Sequence, residues 1–228
     1  MPLLSPAADH AEEAASLLRI LALPTAAKRT LLELGAGGGN LASHLTGTFE
    51  MTLTDLSPEM LQLSQSLNPA AEHLEGDMRT LRLGREFDVV LIHDAVMYCT
   101  TLEDLKAAIA TAAVHCRVGG TVVVLPDYVR ESFASQTHTG GSDAADGRGM
   151  RYVEWSFDPD PSDCTYETHY ALVLREANGE VRVEADRHIE GLYAEAEWLH
   201  VFRSAGLSPR VVLDEWSRHI FVAKKGEP

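Results

Sequence analysis

Residues 31 to 41 read LLELGAGGGNL, an apolar run that breaks into four glycines just before a helix start. No residue loses more backbone freedom on folding than glycine, so four at one junction shape the backbone itself rather than a packed core. Without Cβ atoms the chain can adopt positive φ and let a ligand approach closely. A strand–glycine–helix junction is further predicted to aim unpaired N–H groups and a helix N-terminus at that ligand. A parallel strand followed by a helix confines the chain to an α/β architecture.

The flanking sequence carries the same rhythm. Ser5-Pro6 is a helix-opening pair, and Ala14, Leu17, Leu18 and Leu21 then recur at helical spacing until Pro24. Strands are predicted at 30–34, at 49–54 and around His73 and Leu74, with helices from Asn40 to Leu45 and from the Ser57-Pro58 cap to about Asn68. FDVVLI (87–92) and TVVVL (121–125) are near-continuous apolar runs typical of strands buried on both faces. Thr101 and Asp104 offer a capping box for the helix through His115, and Gly119-Gly120 a turn into the next strand. RVVLDEW and HIFVAKK, turned around Ser217, are predicted to close the sheet as an antiparallel edge pair. The predicted fold class is α/β, a doubly wound, seven-stranded, mostly parallel sheet.

After the fifth strand the pattern changes. Residues 130–150 have no sustained period and read as a mobile loop. RYVEWSF, TYETHYALVL and EVRVEADRHI then alternate with period two, the last two joined by the hairpin signal Asn178-Gly179. This predicts an antiparallel β insertion at 127–192 inside a single domain of residues 1–228, with Tyr166, Tyr170, Trp155 and Phe157 as its core in preference to an aromatic substrate cage. A helix at 194–205, ended by Gly206, returns the chain to the sheet.

The chain's 228 residues, 45% of them apolar, suit one such domain. A formal charge of -15 repels phosphate backbones and anionic headgroups, which predicts a small-molecule substrate and neither nucleic acid nor membrane as partner. Asp9, Glu12 and Glu13 stand where a signal peptide carries positive charge, and no stretch matches a membrane span, so a soluble cytoplasmic protein is expected. Cys99, Cys116 and Cys164 are widely spaced and read as reduced thiols; ten histidines without paired ligand spacing predict no metal site.

Two nucleotide-like cofactors suit the glycine loop, and a plain tight turn is the third reading. Gly35-x-Gly37-x-Gly39 has the form used for S-adenosylmethionine, whereas Gly37-x-Gly39-x-x-Ala42 passes a dinucleotide fingerprint, leaving an NAD-dependent oxidoreductase as the alternative. Asp55, about twenty residues beyond Gly35, can accept from two ribose hydroxyls in either cofactor. Two features favour the sulfonium: EGDM puts Asp77 just past the third strand, and no Tyr is followed four residues on by Lys.

With LLELGAGGG, LTDLS, EGDM, FDVVLIHDAVMY and VGGTVVVL in order and spacing, the chain resembles the class I S-adenosylmethionine-dependent methyltransferases over residues 28 to 126 and, through the closing elements, nearly throughout. The resemblance implies that Gly35, Ala36 and Gly37 pass beneath the methionine and ribose part, with Glu33 beside them. It also implies that Asp55 and Leu56 hold the ribose side, Asp77 and Met78 meet the adenine, and His93 and Asp94 lie near the amino-acid end. Read bare, His93 and Asp94 only finish a strand. A catalytically silent S-adenosylmethionine-binding protein remains a further alternative.

On the acceptor side the candidates are His188 and Tyr98. His188 shares an alternating face with Arg182, Glu184, Asp186 and Glu190, so a solvated sheet face explains it as well as catalysis does. Tyr98, Asp127 and Tyr128 either orient substrate or pack. GDMRTLRLGREFDVV, AVHCRVGGTVVV and RHIEGLYAEAEWLHVFRSAGL look like the N,N-dimethyltransferases of nucleotide-linked amino sugars, which implies an amine acceptor and a homodimer. Those enzymes carry tyrosines in an N-terminal arm, and no tyrosine precedes Tyr98 here.

Overall fold

The computed structural model describes residues 6–22 and 29–227; Ser5 and Pro24 lie outside them. Helix α1 (Ala11–Leu21) leads to strand β1 (Arg29–Leu34), the single-turn helix α2 (Asn40–Ser43), β2 (Phe49–Asp55), α3 (Pro58–Leu67) and β3 (Glu72–Glu75). Then come β4 (Phe87–His93), α4 (Leu102–His115), β5 (Cys116–Leu125), and four strands β6 (Gln136–Asp143), β7 (Gly149–Phe157), β8 (Thr165–Arg175) and β9 (Val181–Gly191). Helix α5 (Glu195–Ser204), β10 (Leu207–Leu213) and β11 (His219–Lys225) close the chain.

Seven strands form one sheet in the order β10-β11-β5-β4-β1-β2-β3, parallel except where β11 pairs with β5 and β10. The continuous apolar runs are explained by cover on both faces. Val89 and Leu91 of β4 pack with α1 and α2, while Val90 and Ile92 pack with α4 and α5 around Trp198, Phe202 and Phe221. Local signals start two of the helices where expected. Ser57 Oγ accepts from Met60 N–H, and Thr101 Oγ1 accepts from Asp104 N–H. Only half of that second capping box forms, because the Asp104 carboxylate instead accepts from Arg79 Nη1 at 3.0 Å. Among the described residues no helix is long and apolar enough to cross a membrane.

Three local expectations change. The helix at Asn40 stops at Ser43, since the chain must reach the head of β2 by Phe49. Gly119-Gly120 lies inside β5 as an irregularity in its pairing with β4, not as a turn; Gly119 has φ +75°, and a Cβ on Gly120 would stand 2.8 Å from the Arg117 carbonyl. Residues 136–143, read as loop, form the edge strand β6 of a four-stranded antiparallel sheet ordered β6-β7-β8-β9. An edge strand is held by its backbone ladder, so its polar, glycine-containing sequence carries no apolar period to read.

In this second sheet the apolar face of β8 looks inward as expected, but the facing of β7 and β9 is inverted. Met150, Leu172 and Leu174 form its small buried cluster, and Asp186, His188 and Glu190 continue that inner face. The apolar alternation Val153, Trp155, Val173, Val183 and Ile189 lies on the outer face, each of these 42% exposed or more. Trp155 is thus no core residue. Tyr166 packs into the main core and Tyr170 stands half-buried at the cleft.

Candidate active site

The carboxyl ends of β1, β2, β4 and β5 open onto a cavity of about 940 Å³, near the upper end of the usual range for ligand clefts. Glu33, Gly35, Ala36, Gly37, Asp55, His93 and Asp94 line it from the sheet side, and Tyr98 and His188 from the other. A connected recess of about 230 Å³ is lined by Leu56, Asp77 and Met78 together with Gly35, Asp55 and Tyr98. The cofactor candidates, with Tyr98, Asp127 and His188 on the acceptor side, therefore border one of these two spaces, whereas Tyr128 packs against Phe133 and Tyr166.

The glycine loop works differently from the sequence expectation. Gly35 and Ala36 N–H both donate to the Thr54 carbonyl at 2.8 Å, Gly37 N–H donates to Asp55 Oδ2 at 2.8 Å, and Gly39 N–H to the Ala36 carbonyl at 2.9 Å. These amides are already paired, so the loop offers bare Cα surface rather than a row of donors. Gly35 has φ +77°, and a Cβ there would fall 2.4 Å from Ala95 Cβ. Asp55 also accepts from Ser57 N–H at 2.9 Å, which locks its carboxylate across the loop with lone pairs left for a ligand.

Glu33 lies beneath the loop, 2% exposed, and its Oε2 has no hydrogen-bond partner among the described residues. Burial pushes its carboxyl up to about 7; the charges of Asp94, Glu13 and Asp55 add to this against the pull of His93. An orphaned buried carboxyl at the floor of the cleft, below a loop cleared of Cβ atoms, fits a ligand that brings an ammonium group. Asp77 is gripped by Arg79 through Nε and Nη2, the shortest contact 2.7 Å, and this hydrogen bonding keeps its carboxyl below the usual range as a permanent acceptor.

Asp94 links β4 to the short helix Ala95–Tyr98 with φ +48° and ψ -46°, a strained conformation for a side-chain-bearing residue, held by its N–H bond to the Leu125 carbonyl. His93 Nε2 stands 3.0 Å from Glu13 Oε1 and 3.2 Å from Asp94 Oδ1. Burial alone would lower its pKa, but these carboxylates prevail and raise it to about 9, so the ring is an imidazolium at neutral pH. Glu13 in turn binds Arg218 at 2.6 Å and His10 at 3.1 Å. Helix α1 is thereby fastened to the sheet at this end of the cleft, a role for Glu13 that its helical pattern gave no sign of.

Opposite stands the inner face of the second sheet. Tyr98 Oη and His188 Nδ1 are 2.9 Å apart, and His188 Nε2 is 3.3 Å from Asp186 Oδ2. Tyr98 donating to Nδ1 and Nε2–H donating to Asp186 satisfies all three groups. Burial, followed by the charges of Glu190, Asp127 and Asp186, raises the Tyr98 hydroxyl to about 12, so it serves as a phenol. His188 is therefore a cleft residue with two partners, not a member of a solvated face. Asp186 and Glu190, assigned to that face in the sequence, join it; the one available signal was their position on β9 directly before the chain re-enters the sheet.

A methyltransferase domain signature matches residues 31–120. The dTDP-3-amino-3,4,6-trideoxy-α-D-glucopyranose N,N-dimethyltransferase of Streptomyces venezuelae is 33% identical over 201 residues, 87% of this chain and 84% of the relative. This chain belongs to the S-adenosylmethionine-dependent methyltransferases. Its fold matches the crystal structure of Streptomyces venezuelae DesVI with a TM-score of 0.86 at 29% identity, covering 96% of this chain and 92% of that one. An amino pentose methyltransferase of Micromonospora echinaspora, solved with S-adenosylmethionine bound, matches with a TM-score of 0.82 at 26% identity over 95% and 91% of the two chains. The cofactor of this methyltransferase is S-adenosylmethionine, and the dinucleotide reading of the glycine loop is set aside.

Proposed function

We propose that this methyltransferase methylates the amine nitrogen of a small, sugar-like metabolite. The observation that carries the reading is the polar end of the second sheet's inner face, where Tyr98 and His188 stand across the cleft from the glycine loop. The relatives above, named as methyltransferases of amino sugars, support it. When bound, S-adenosylmethionine supplies an activated methyl: the nitrogen lone pair forms the C–N bond as the C–S bond breaks, leaving S-adenosylhomocysteine and an ammonium that sheds a proton.

In this reading Asp55 and Leu56 hold the ribose side, and Glu33 meets the amino-acid ammonium. Asp77 and Met78 take the adenine edge; Gly35, Ala36 and Gly37 lie beneath the cofactor, with His93 and Asp94 bounding its amino-acid end. Tyr98 and His188 orient the acceptor and exclude water from it. His188→Gln is expected to lower kcat about tenfold while leaving S-adenosylhomocysteine affinity within about twofold, by analogy with the loss of one orienting or proton-accepting group. Equal turnover in this variant would return His188 to a packing role.

The reading includes a single domain roofed by residues 127–192, a cytoplasmic setting in keeping with free Cys99, Cys116 and Cys164, and no nucleic-acid partner. It also includes a homodimer through the outer face of the second sheet, because contiguous exposed Val153, Trp155, Val173 and Val183 call for cover. Trp155→Lys should convert the dimer to a monomer in light scattering. A wild-type monomer, or an unaltered mass in the variant, would refute the interface.

A further inference from the structure

The larger cavity is lined by acids along its length. Its lining includes the acids Glu33, Asp55, Asp94, Asp127, Asp186 and Glu190, and among the described lining residues there is no lysine or arginine. Asp127, Asp186 and Glu190 belong to the acceptor end, beside Tyr98 and His188.

The cations that border the cleft are already committed. Arg79, at the smaller recess, is shared between Asp77 and Asp104. Arg218 is shared between Glu13 and Asp214, and the His93 imidazolium stands between Glu13 and Asp94. A diphosphate entering here would desolvate against like charge, with no uncommitted guanidinium or lysine lining the cavity among the described residues to receive it, whereas an ammonium group would find matching carboxylates. The chain's net charge of -15 steers in the same direction from a distance.

An amine must still be neutral at the reacting nitrogen. Asp127, at the carboxyl end of β5, is suited to help: burial first, then the charges of Asp94 and Glu190, push its carboxyl well above the usual carboxylate range. Its ionised form is therefore an unusually strong proton acceptor within the acceptor end of the cleft.

Resting on the amine-acceptor reading above, we infer that this cleft takes a free cationic amine without phosphate, such as an unactivated amino sugar, and discriminates against the same amine linked to a nucleoside diphosphate. This departs from the dTDP-linked substrates for which the relatives are named.

The test is calorimetry on the S-adenosylhomocysteine-loaded protein with a matched pair of probes, a 3-amino-hexose as its methyl glycoside and the same hexose linked to thymidine diphosphate. The methyl glycoside should bind at least tenfold more tightly. Its affinity should fall as salt rises from about 50 mM to about 500 mM, and fall again at low salt in the Asp186→Asn, Glu190→Gln double variant. Equal or tighter binding of the diphosphate-linked probe overturns the inference, as does failure of the methyl glycoside to bind. Turnover of the same pair is scored separately: preferential binding of the free amine without methylation would refute the amine-acceptor reading and leave the charge discrimination standing.

Discussion

Asp55→Ala is expected to weaken S-adenosylhomocysteine binding about 100-fold, on the order of 3 kcal/mol, because a charged acceptor serving two hydroxyls is lost at once. The carboxylate is aimed before any ligand arrives, by the Gly37 N–H at 2.8 Å and the Ser57 N–H at 2.9 Å. That preorganisation makes its hydrogen bonds to a ribose inexpensive in entropy. The same two contacts mean that alanine also strips partners from the loop, so a modest fall in Tm should accompany the loss. Asp55→Asn separates the effects, since the amide oxygen keeps one N–H partner and loses only the charge and the second acceptor; its Tm should recover while much of the affinity stays lost. Calorimetry on both folded variants decides the point. Unchanged affinity in either would remove Asp55 from the cofactor site.

Glu33→Gln should stabilise the cofactor-free protein, increasingly so as pH rises from about 4.5 to about 7, and by about 3 kcal/mol above that range. Below the ordinary glutamate value of 4.5 the carboxyl is protonated in folded and unfolded chains alike, and Glu33 contributes nothing to the pH dependence. Between 4.5 and about 7 the unfolded chain releases its proton first, so the folded state binds more protons and loses stability as pH rises. Once the folded carboxyl also ionises, the penalty levels off. Saturating S-adenosylhomocysteine, whose ammonium would pair with this carboxylate, should shrink the difference between wild type and variant at alkaline pH. Urea melts across pH check both parts. A pH-independent difference, or one that ligand leaves untouched, would show that Glu33 is not the orphaned acid beneath the cofactor.

Much of this site was legible because local sequence dictates it. A parallel strand buried on both faces needs unbroken β-branched and leucine runs, so 87–92 and 121–125 declared themselves, and the carboxyl ends of such strands are where open α/β sheets bind ligands. Glycines at 35, 37 and 39 are required by positive φ, a local constraint visible without coordinates. Ser57-Pro58 and Asn178-Gly179 likewise carry their conformations in their own side chains. What the glycine loop does with its amides was not legible, because the Thr54 carbonyl and the Asp55 carboxylate that consume them arrive from the neighbouring strand.

The second sheet marks the boundary most clearly. Period-two alternation in β7, β8 and β9 established by itself that two faces exist, one apolar and one polar. Which face looks inward depends on the one-residue register at which β8 and β9 meet the rest of the protein, and on what else covers them. Tertiary structure kept the apolar face of β8 inside but turned the polar face of β9 onto the cleft and left Val153, Trp155 and Val183 outside. The sequence alone thus determined a seven-stranded α/β sheet with a glycine loop at its carboxyl edge, since strand period, glycine conformation and capping are short-range. Only the folded chain joined Tyr98 to His188 across ninety residues, fastened Glu13 to His93 and Arg218, and gathered six acids around one cavity, because such contacts depend on packing between elements that leaves no local pattern in any one of them.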